Sequence, residues 1–332
     1  PTLEWIGKEK VINHHQEVPF RELDRQYSFD ESGQHAGDNG SENMIIHGDN
    51  LYALKALLPR YEGRVKCIYI DPPYNTGNEG WVYNDNVNDP KIKKWLGEVV
   101  GKEGEELTRH DKWLCMMSPR LKLLQKLLAE DGVIFVSIDD IEVTYLRLIM
   151  DEIFGKTSFI AQLIWKSRQN KDNRNVTNVS IDHEYVLCYG TKLRGCKRKE
   201  EQYKNPDNDP RGPWTSANMV GLATEDARPN LHYDLIDPST GINYGKPTKG
   251  WRYDKNTMSR LIAEGRIIWP DTPNGRPRKK QYLADLAGLY TGYSSIIGEN
   301  FYTRTGSNEQ LQIWGDGRFD FPKNSGLLQE LI

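Results

Sequence analysis

An acid, two prolines and a tyrosine follow one another at Asp71-Pro72-Pro73-Tyr74, directly after the apolar run VKCIYI of residues 65–70. The Asp71 carboxylate and the Pro72 carbonyl can both accept hydrogen bonds from one NH2 group, and Tyr74 offers a flat face for stacking. Two acceptors aimed at an exocyclic amine hold it and draw its lone pair out of conjugation, which makes the nitrogen nucleophilic. Proline fixes φ, so such acceptors are pre-positioned rather than ordered at the moment of reaction. The same residues also fit a Pro-Pro turn with an exposed acid and a tyrosine packed beneath it. The tetrad alone leaves both readings open.

The flanking residues say how the tetrad is carried. A Val/Ile/Tyr-rich run of six is of strand length, and prolines can neither donate to a sheet ladder nor continue into a helix. The tetrad therefore sits on a stiff loop past a strand's carboxyl end, where open α/β sheets bind ligands. Upstream, the apolar run Met44–Ile46 and a Gly48-Asp49-Asn50 break precede Leu51, Leu54, Leu57 and Leu58 at helical spacing, with Asp49 or Asn50 as N-cap. Downstream, a polar segment (78–111) leads to a helix with Trp113, Leu121, Leu124 and Leu128. A strand at 133–138 follows, then Asp139-Asp140, a helix through Tyr145 and Ile149, and strands at 159–165 and 185–189. This rhythm predicts an α/β domain with a parallel-type sheet between helices over residues 43–190. Residues 1–42 read as a polar lead-in with a flexible Gly-rich connector.

The 332 residues suggest about two domains. Mean hydropathy is −0.71, and no apolar run approaches the ~20 residues that cross a bilayer. PTLEWIGKEKV lacks the apolar core of a signal peptide, and Cys67, Cys115, Cys188 and Cys196 show no CxxC spacing. Buried thiols in a reducing, cytoplasmic setting and no zinc site are expected. Net charge is −3, yet residues 190–300 hold 18 Lys and Arg against 13 Asp and Glu, leaving 26 against 34 elsewhere. A basic half in an acidic chain suits a phosphate-bearing partner such as DNA, although a solvated charged surface has the same composition. His14-His15 lacks partners at metal-ligand spacing, Asp139-Asp140 stands where a helix is capped, and the acidic run 98–106 reads as a solvated face.

Several segments in order, LEWIGKEKVINHHQEVPF, HGDNLYALKALL, IYIDPPYNTG, GVIFVSIDD, HEYVLCYG, NPDNDPRGPW, GKPTKGWRYDKNTMSRLIAEGRIIWP and FDFPKNSGLL, span nearly the whole chain. In these it resembles amino-directed DNA methyltransferases, specifically β-type adenine-N6 enzymes such as the modification subunits of type III restriction systems. The resemblance implies a Rossmann-like fold and S-adenosylmethionine as cofactor. It also implies double-stranded DNA as substrate and a target adenine flipped into a pocket of Asp71, Pro72, Pro73 and Tyr74. Asp71, Phe321 and Lys323 would face the cofactor. A target-recognition region would occupy 191–311, and 312–332 would return towards the cofactor side. A second copy of the chain and a helicase–nuclease restriction subunit are open as partners. DNA contacts are expected from the Asn/Arg/Lys-rich loop 166–182 (Lys166, Arg168, Lys171, Arg174) and from Arg276, Arg278, Lys279 and Lys280, whereas Trp214 and Trp251 read as core.

The departures are as informative. The family's glycine-rich FxGxG loop, which cradles the cofactor, follows a segment like FDFPKNSGLLQELI, where this sequence stops. Gly315 and Gly317 do not substitute, because no apolar strand leads into them. A truncated chain carrying the base-holding half is the expectation, with Asn324 in place of the usual proline. Asp71 favours adenine over cytosine N4. The alternatives are a cytosine-N4 enzyme, a DNA-recognition subunit without activity and, more remotely, a protein or RNA methyltransferase.

Overall fold

The computed structural model describes residues 2–76, 94, 97–99, 109–173, 176–193, 195–197, 200–286, 288 and 290–332. They form two units, residues 1–193 with 293–332, and residues 194–292.

The first unit is built on β1 (Val65–Ile70), β2 (Leu128–Ile138), β3 (Phe159–Trp165), β4 (Glu184–Gly190) and the two-residue β5 (Ile296–Ile297), in the order β5–β3–β4–β2–β1. β1 and β2 are parallel, as are β5 and β3, but β4 runs antiparallel to both β2 and β3. The expected parallel-type sheet is thus mixed. The connection between β3 and β4 has no crossover helix among the described residues, and the chain comes back in the opposite direction.

From Val133 to Ile138 β2 is buried on both faces, which explains a run apolar but for Ser137 rather than an alternating one. One face packs Ile134 and Val136 against Trp113, Leu114 and Leu121 of α2 (Arg109–Leu127) and Leu146 and Ile149 of α3 (Val143–Phe154). The other packs Val133 and Phe135 with Leu163, Trp165 and Val186, and with Leu327 and Leu331, which belong to a C-terminal helix (Ser325–Leu331). Each fully buried Leu or Ile here contributes ~2 kcal/mol. The strand reaches back to Leu128, past the break expected at Asp131-Gly132. Gly132 permits this, because a Cβ there would stand 2.9 Å from the Val65 carbonyl oxygen.

α1 (Asn50–Tyr61) starts at Asp49, whose Oδ1 accepts the Leu51 and Tyr52 amides at 2.8 and 3.4 Å. That decides between the two candidate caps, and such a cap is worth ~1 kcal/mol. The Met44–Ile46 run joins no sheet among the described residues, and Ile45 is fully exposed. The stretch read as a polar lead-in, residues 1–42, has buried residues near its start. Two short helices, Lys8–Val11 and His14–Glu17, bury Val11, His15 and Val18, and Lys8 reaches Glu152 of α3 at 3.0 Å. The Gly-rich stretch beyond them folds into a hairpin, Ser28–Asp30 with Gly33–His35.

In the second unit Trp214–Ala217, Arg278–Tyr282 and Ile267–Ile268 form an antiparallel sheet with Arg278–Tyr282 in the centre. Its core gathers Met219, Tyr233, Leu235 and Trp251 with Met258 and Leu261 of the helix Lys255–Ala263. Trp251 is core, as expected, and its indole N–H donates to the Tyr233 carbonyl at 2.9 Å. No helix among the described residues is long and apolar enough to cross a membrane.

His15 supplies a stability test. Burial, aided by Lys122, Lys126 and Lys55, lowers its pKa to about 4. The unfolded chain therefore binds a proton between pH ~6.5 and 4 that the folded chain refuses, so stability falls as pH drops through that window. The expected loss is ~1–3 kcal/mol. Urea denaturation of wild type and His15→Asn at pH 7 and pH 4.5 checks it: the variant should lose less on acidification.

Candidate amine-binding pocket

Because β4 is antiparallel, its amino end lies beside the carboxyl ends of β2 and β3, on the same edge of the sheet as the carboxyl end of β1. Tyr185 pairs with Ile138 and Glu184 with Trp165, while β1 ends at Ile70 next to Asp71. One edge of the sheet thus collects Asp71, Glu184 and Trp165 from three strand ends.

The tetrad is fixed from below. The Trp113 indole N–H donates to the Pro73 carbonyl at 2.6 Å, tying the loop to α2. Asn75, fully buried at φ 61°, donates its amide to Glu142 Oε1 and to the Arg109 carbonyl at 3.3 Å. His110 Nδ1 lies 2.6 Å from the same Glu142 oxygen, and its ring stacks on Tyr145. Burial pushes the Glu142 carboxyl up, and the Asn75 and His110 hydrogen bonds oppose that push. Asparagine tolerates the left-handed region better than most residues, so the turn after Tyr74 is made at small cost.

Above the tetrad sits Lys323. Its Nζ lies 3.0 Å from Asp71 Oδ2 and 3.8 Å from Glu184 Oε2, and 5.0 and 5.6 Å from the ring centroids of Tyr74 and Trp165. Two carboxylates and two aromatic rings therefore surround one ammonium, a combination that holds cationic or N–H-rich groups. The Tyr74 hydroxyl donates to Glu184 Oε2 at 3.0 Å. Burial, with Asp71 and Glu184 close by, pushes the Tyr74 phenol well above its usual range, so it stays a donor. Burial also raises Glu184, with Lys323 pulling the other way. The Trp165 indole is in turn anchored to the Phe301 carbonyl at 2.6 Å.

Lys323 is delivered by close packing at a glycine. α4 (Thr303–Trp314) carries Gly306, where a Cβ would press into the Pro322 carbonyl oxygen and stand 3.0 Å from the Asn324 amide. Asn324 then caps α5 (Ser325–Leu331), its Oδ1 accepting the Gly326 amide at 2.9 Å. Phe321 has φ 49° and is half-exposed, a conformation costing ~1 kcal/mol for a bulky residue. Gly315 ends α4 in the left-handed conformation, its amide bonded to the Leu311 carbonyl, so it is a helix cap.

A family model described as DNA methylase matches residues 65–264. The chain belongs to that DNA methylase family. It is 33% identical to the type III restriction-modification enzyme StyLTI Mod subunit of Salmonella typhimurium over 90% of this chain and 47% of the relative. It is 30% identical to the EcoP15I Mod subunit of Escherichia coli over 100% and 58%, and 30% identical to the type II methyltransferase M.KpnI of Klebsiella pneumoniae over 92% and 74%. The chain spans about half the length of the type III relatives.

Lys166 is exposed, with its ammonium 5.9 Å from the Tyr302 ring centroid, and Arg168 pairs with Asp172 at 3.0 Å in the loop after β3. Lys171 is exposed, and Arg174 lies outside the described residues. In the second unit Arg276 is exposed, Arg278 bonds Ser216, and Lys279 lies 5.2 Å over the Tyr253 ring. Lys280 is already committed: it pairs with Asp207 and, at 3.1 Å, with Asp209, and stands over Trp214. Asp209 also accepts from Arg211 and Tyr282, which hold it far below the usual carboxylate range. Asp139 accepts the Ile141 amide at 3.0 Å at the entry to α3, a turn-forming rather than catalytic task.

Sequence reasoning passed over Glu184, Trp113, Trp165 and Glu142. Glu184 had a signal, a charged residue opening an apolar strand, but an all-parallel sheet would put that end on the wrong edge.

Replacing Gly306 by Ala should push residues 322–324 off α4 and withdraw Lys323 from Asp71. The expected cost is ~1–3 kcal/mol by overpacking. Thermal denaturation and a double-mutant cycle of Gly306→Ala with Lys323→Met measure it; additivity of the two changes would show that the glycine does not act through Lys323.

Proposed function

We propose that this chain is the base-holding part of an S-adenosylmethionine-dependent DNA methyltransferase that modifies the exocyclic N6 of adenine. The observation that carries this reading is the corner of Asp71, Tyr74, Glu184 and Lys323, rigidly backed by Trp113 and positioned at the carboxyl edge of the sheet. Family membership supports the same chemistry.

In this mechanism a flipped adenine presents its amino group to Asp71 and to the Pro72 carbonyl, with its ring on Tyr74. The Pro73 carbonyl is held by Trp113, so the loop's acceptors are set before the base arrives. Accepting both N–H groups turns the nitrogen lone pair out of the ring system and towards the electrophile. S-adenosylmethionine, when bound, supplies a methyl group on a cationic sulfur. Of the residues proposed to face it, Asp71 suits a positive sulfonium, and Lys323 suits the carboxylate of the methionine moiety. Gly315 is occupied as a helix cap, so these residues fit one side of the cofactor only. On gaining the methyl group the nitrogen sheds one proton, and positioning supplies most of the effect.

The second unit is proposed as the target-recognition region, in place of the wider 191–311 span, because residues 293–311 belong with the first unit. Exposed Arg276 and the loop residues Lys166, Arg168 and Lys171 are proposed phosphate contacts. A restriction subunit, a second copy of the chain and a cytoplasmic setting are part of the same proposal.

The test uses the complete protein with DNA containing its recognition sequence. Asp71→Ala should lower methyl transfer at least ~100-fold while DNA binding persists, as removal of one preorganised polar group does elsewhere. Mass spectrometry of the nucleosides should give N6-methyladenine. N4-methylcytosine would replace the reading with its cytosine counterpart, and unmodified DNA from wild type would end it.

A further inference from the structure

Lys323 stands where a ligand's amino group has to go. Its ammonium is bonded to Asp71 Oδ2 at 3.0 Å, and a carboxylate that already neutralises an ammonium is a weaker acceptor for a neutral NH2. If Asp71 is to hold an amine, Lys323 has to turn to another anion. The geometry offers one. Glu184 Oε2 is 3.8 Å from the same Nζ, its side chain is one-fifth exposed, and the Tyr74 hydroxyl bonds the same oxygen at 3.0 Å. The Ser167 hydroxyl also reaches this carboxylate, and Ser167 is buried, so Glu184 has a second brace besides Tyr74. Lys323 is less than 1 Å short of an equally close contact with Glu184.

We propose that Glu184 is a positioning residue of the pocket: it fixes the Tyr74 ring through its hydroxyl and receives the Lys323 ammonium when a ligand's amino group takes Asp71. This rests on the proposed role of Asp71 as amine acceptor. It makes amine recognition an exchange of partners at constant charge. The ammonium lies within 6 Å of the Tyr74 and Trp165 rings, and the exchange leaves the net charge of the corner unchanged. Selectivity follows from the same exchange, because a ring lacking the amino group gives Lys323 no reason to leave Asp71.

The experiment uses the 332-residue chain and two probes, adenosine and purine riboside, which lacks the amino group. Dissociation constants are measured for both, and the lysine 13Cε signals are followed by NMR, with Lys323 assigned by its loss in Lys323→Met. Wild type should prefer adenosine about tenfold, the range of one hydrogen bond to a charged group. The Lys323 signal should shift with adenosine and not with purine riboside. Glu184→Gln, which keeps the shape and the acceptor for Tyr74 but removes the charge, should lose both the preference and the shift. If Glu184→Gln only lowers the melting temperature and keeps both, Glu184 is structural and the inference is overturned. Asp71→Asn separates the two levels. Should it keep the preference, the amine pocket itself is wrong; should it lose the preference while Glu184→Gln retains it, only the partner exchange is wrong. No preference in wild type removes both.

Discussion

Two carboxylates at one strand edge need a cation, and the first unit is arranged around that need. Asp71 sits on a proline-stiffened loop and cannot move away, while Glu184 opens a strand that is locked between two others. Like charges in a partly desolvated corner raise the cost of keeping each ionised, and Lys323 offsets it. The lysine comes from 252 residues further along the chain than Asp71. Its arrival depends on Gly306, on the Asn324 cap and on the burial of Leu327 and Leu331 against the sheet. A contact between side chains is here the visible end of a helix-on-sheet packing arrangement.

The pocket is rigid below and adjustable above. Below, Trp113 and the Asn75–Glu142–His110 cluster hold the tetrad with hydrogen bonds to groups that are themselves buried. Above stands Lys323, a long flexible side chain with two acceptors at different distances and two rings beside it. Preorganised acceptors with a movable counter-charge suit recognition of a neutral amine, since the acceptors must be strong when the amine is present and neutralised when it is not.

Some of this was legible from residues alone. The tetrad and its place after a strand, the leucine spacing of α1 and the core role of Trp251 all came from local pattern, because each depends on neighbours a few positions away. Other features were hidden. The lead-in reading of residues 1–42 missed the burial of Val11, His15 and Val18, because four-residue helices carry too short a period to show it. Lys280 looked like part of a basic surface run, yet Asp207 and Asp209 lie over 70 residues away in sequence and claim it.

The sequence by itself determined the residue types of the tetrad, its mounting on a proline-stiffened loop after a strand, and the family to which such ordered motifs point, since motif spacing and proline geometry are local properties. Tertiary structure alone decided that the strand beginning at Glu184 runs backwards through the sheet, and that Lys323 closes the corner. Strand direction is set by whether a connection crosses over or turns back. An ion pair between distant residues is set by which surfaces the core brings together. Neither quantity is written in any short stretch of chain.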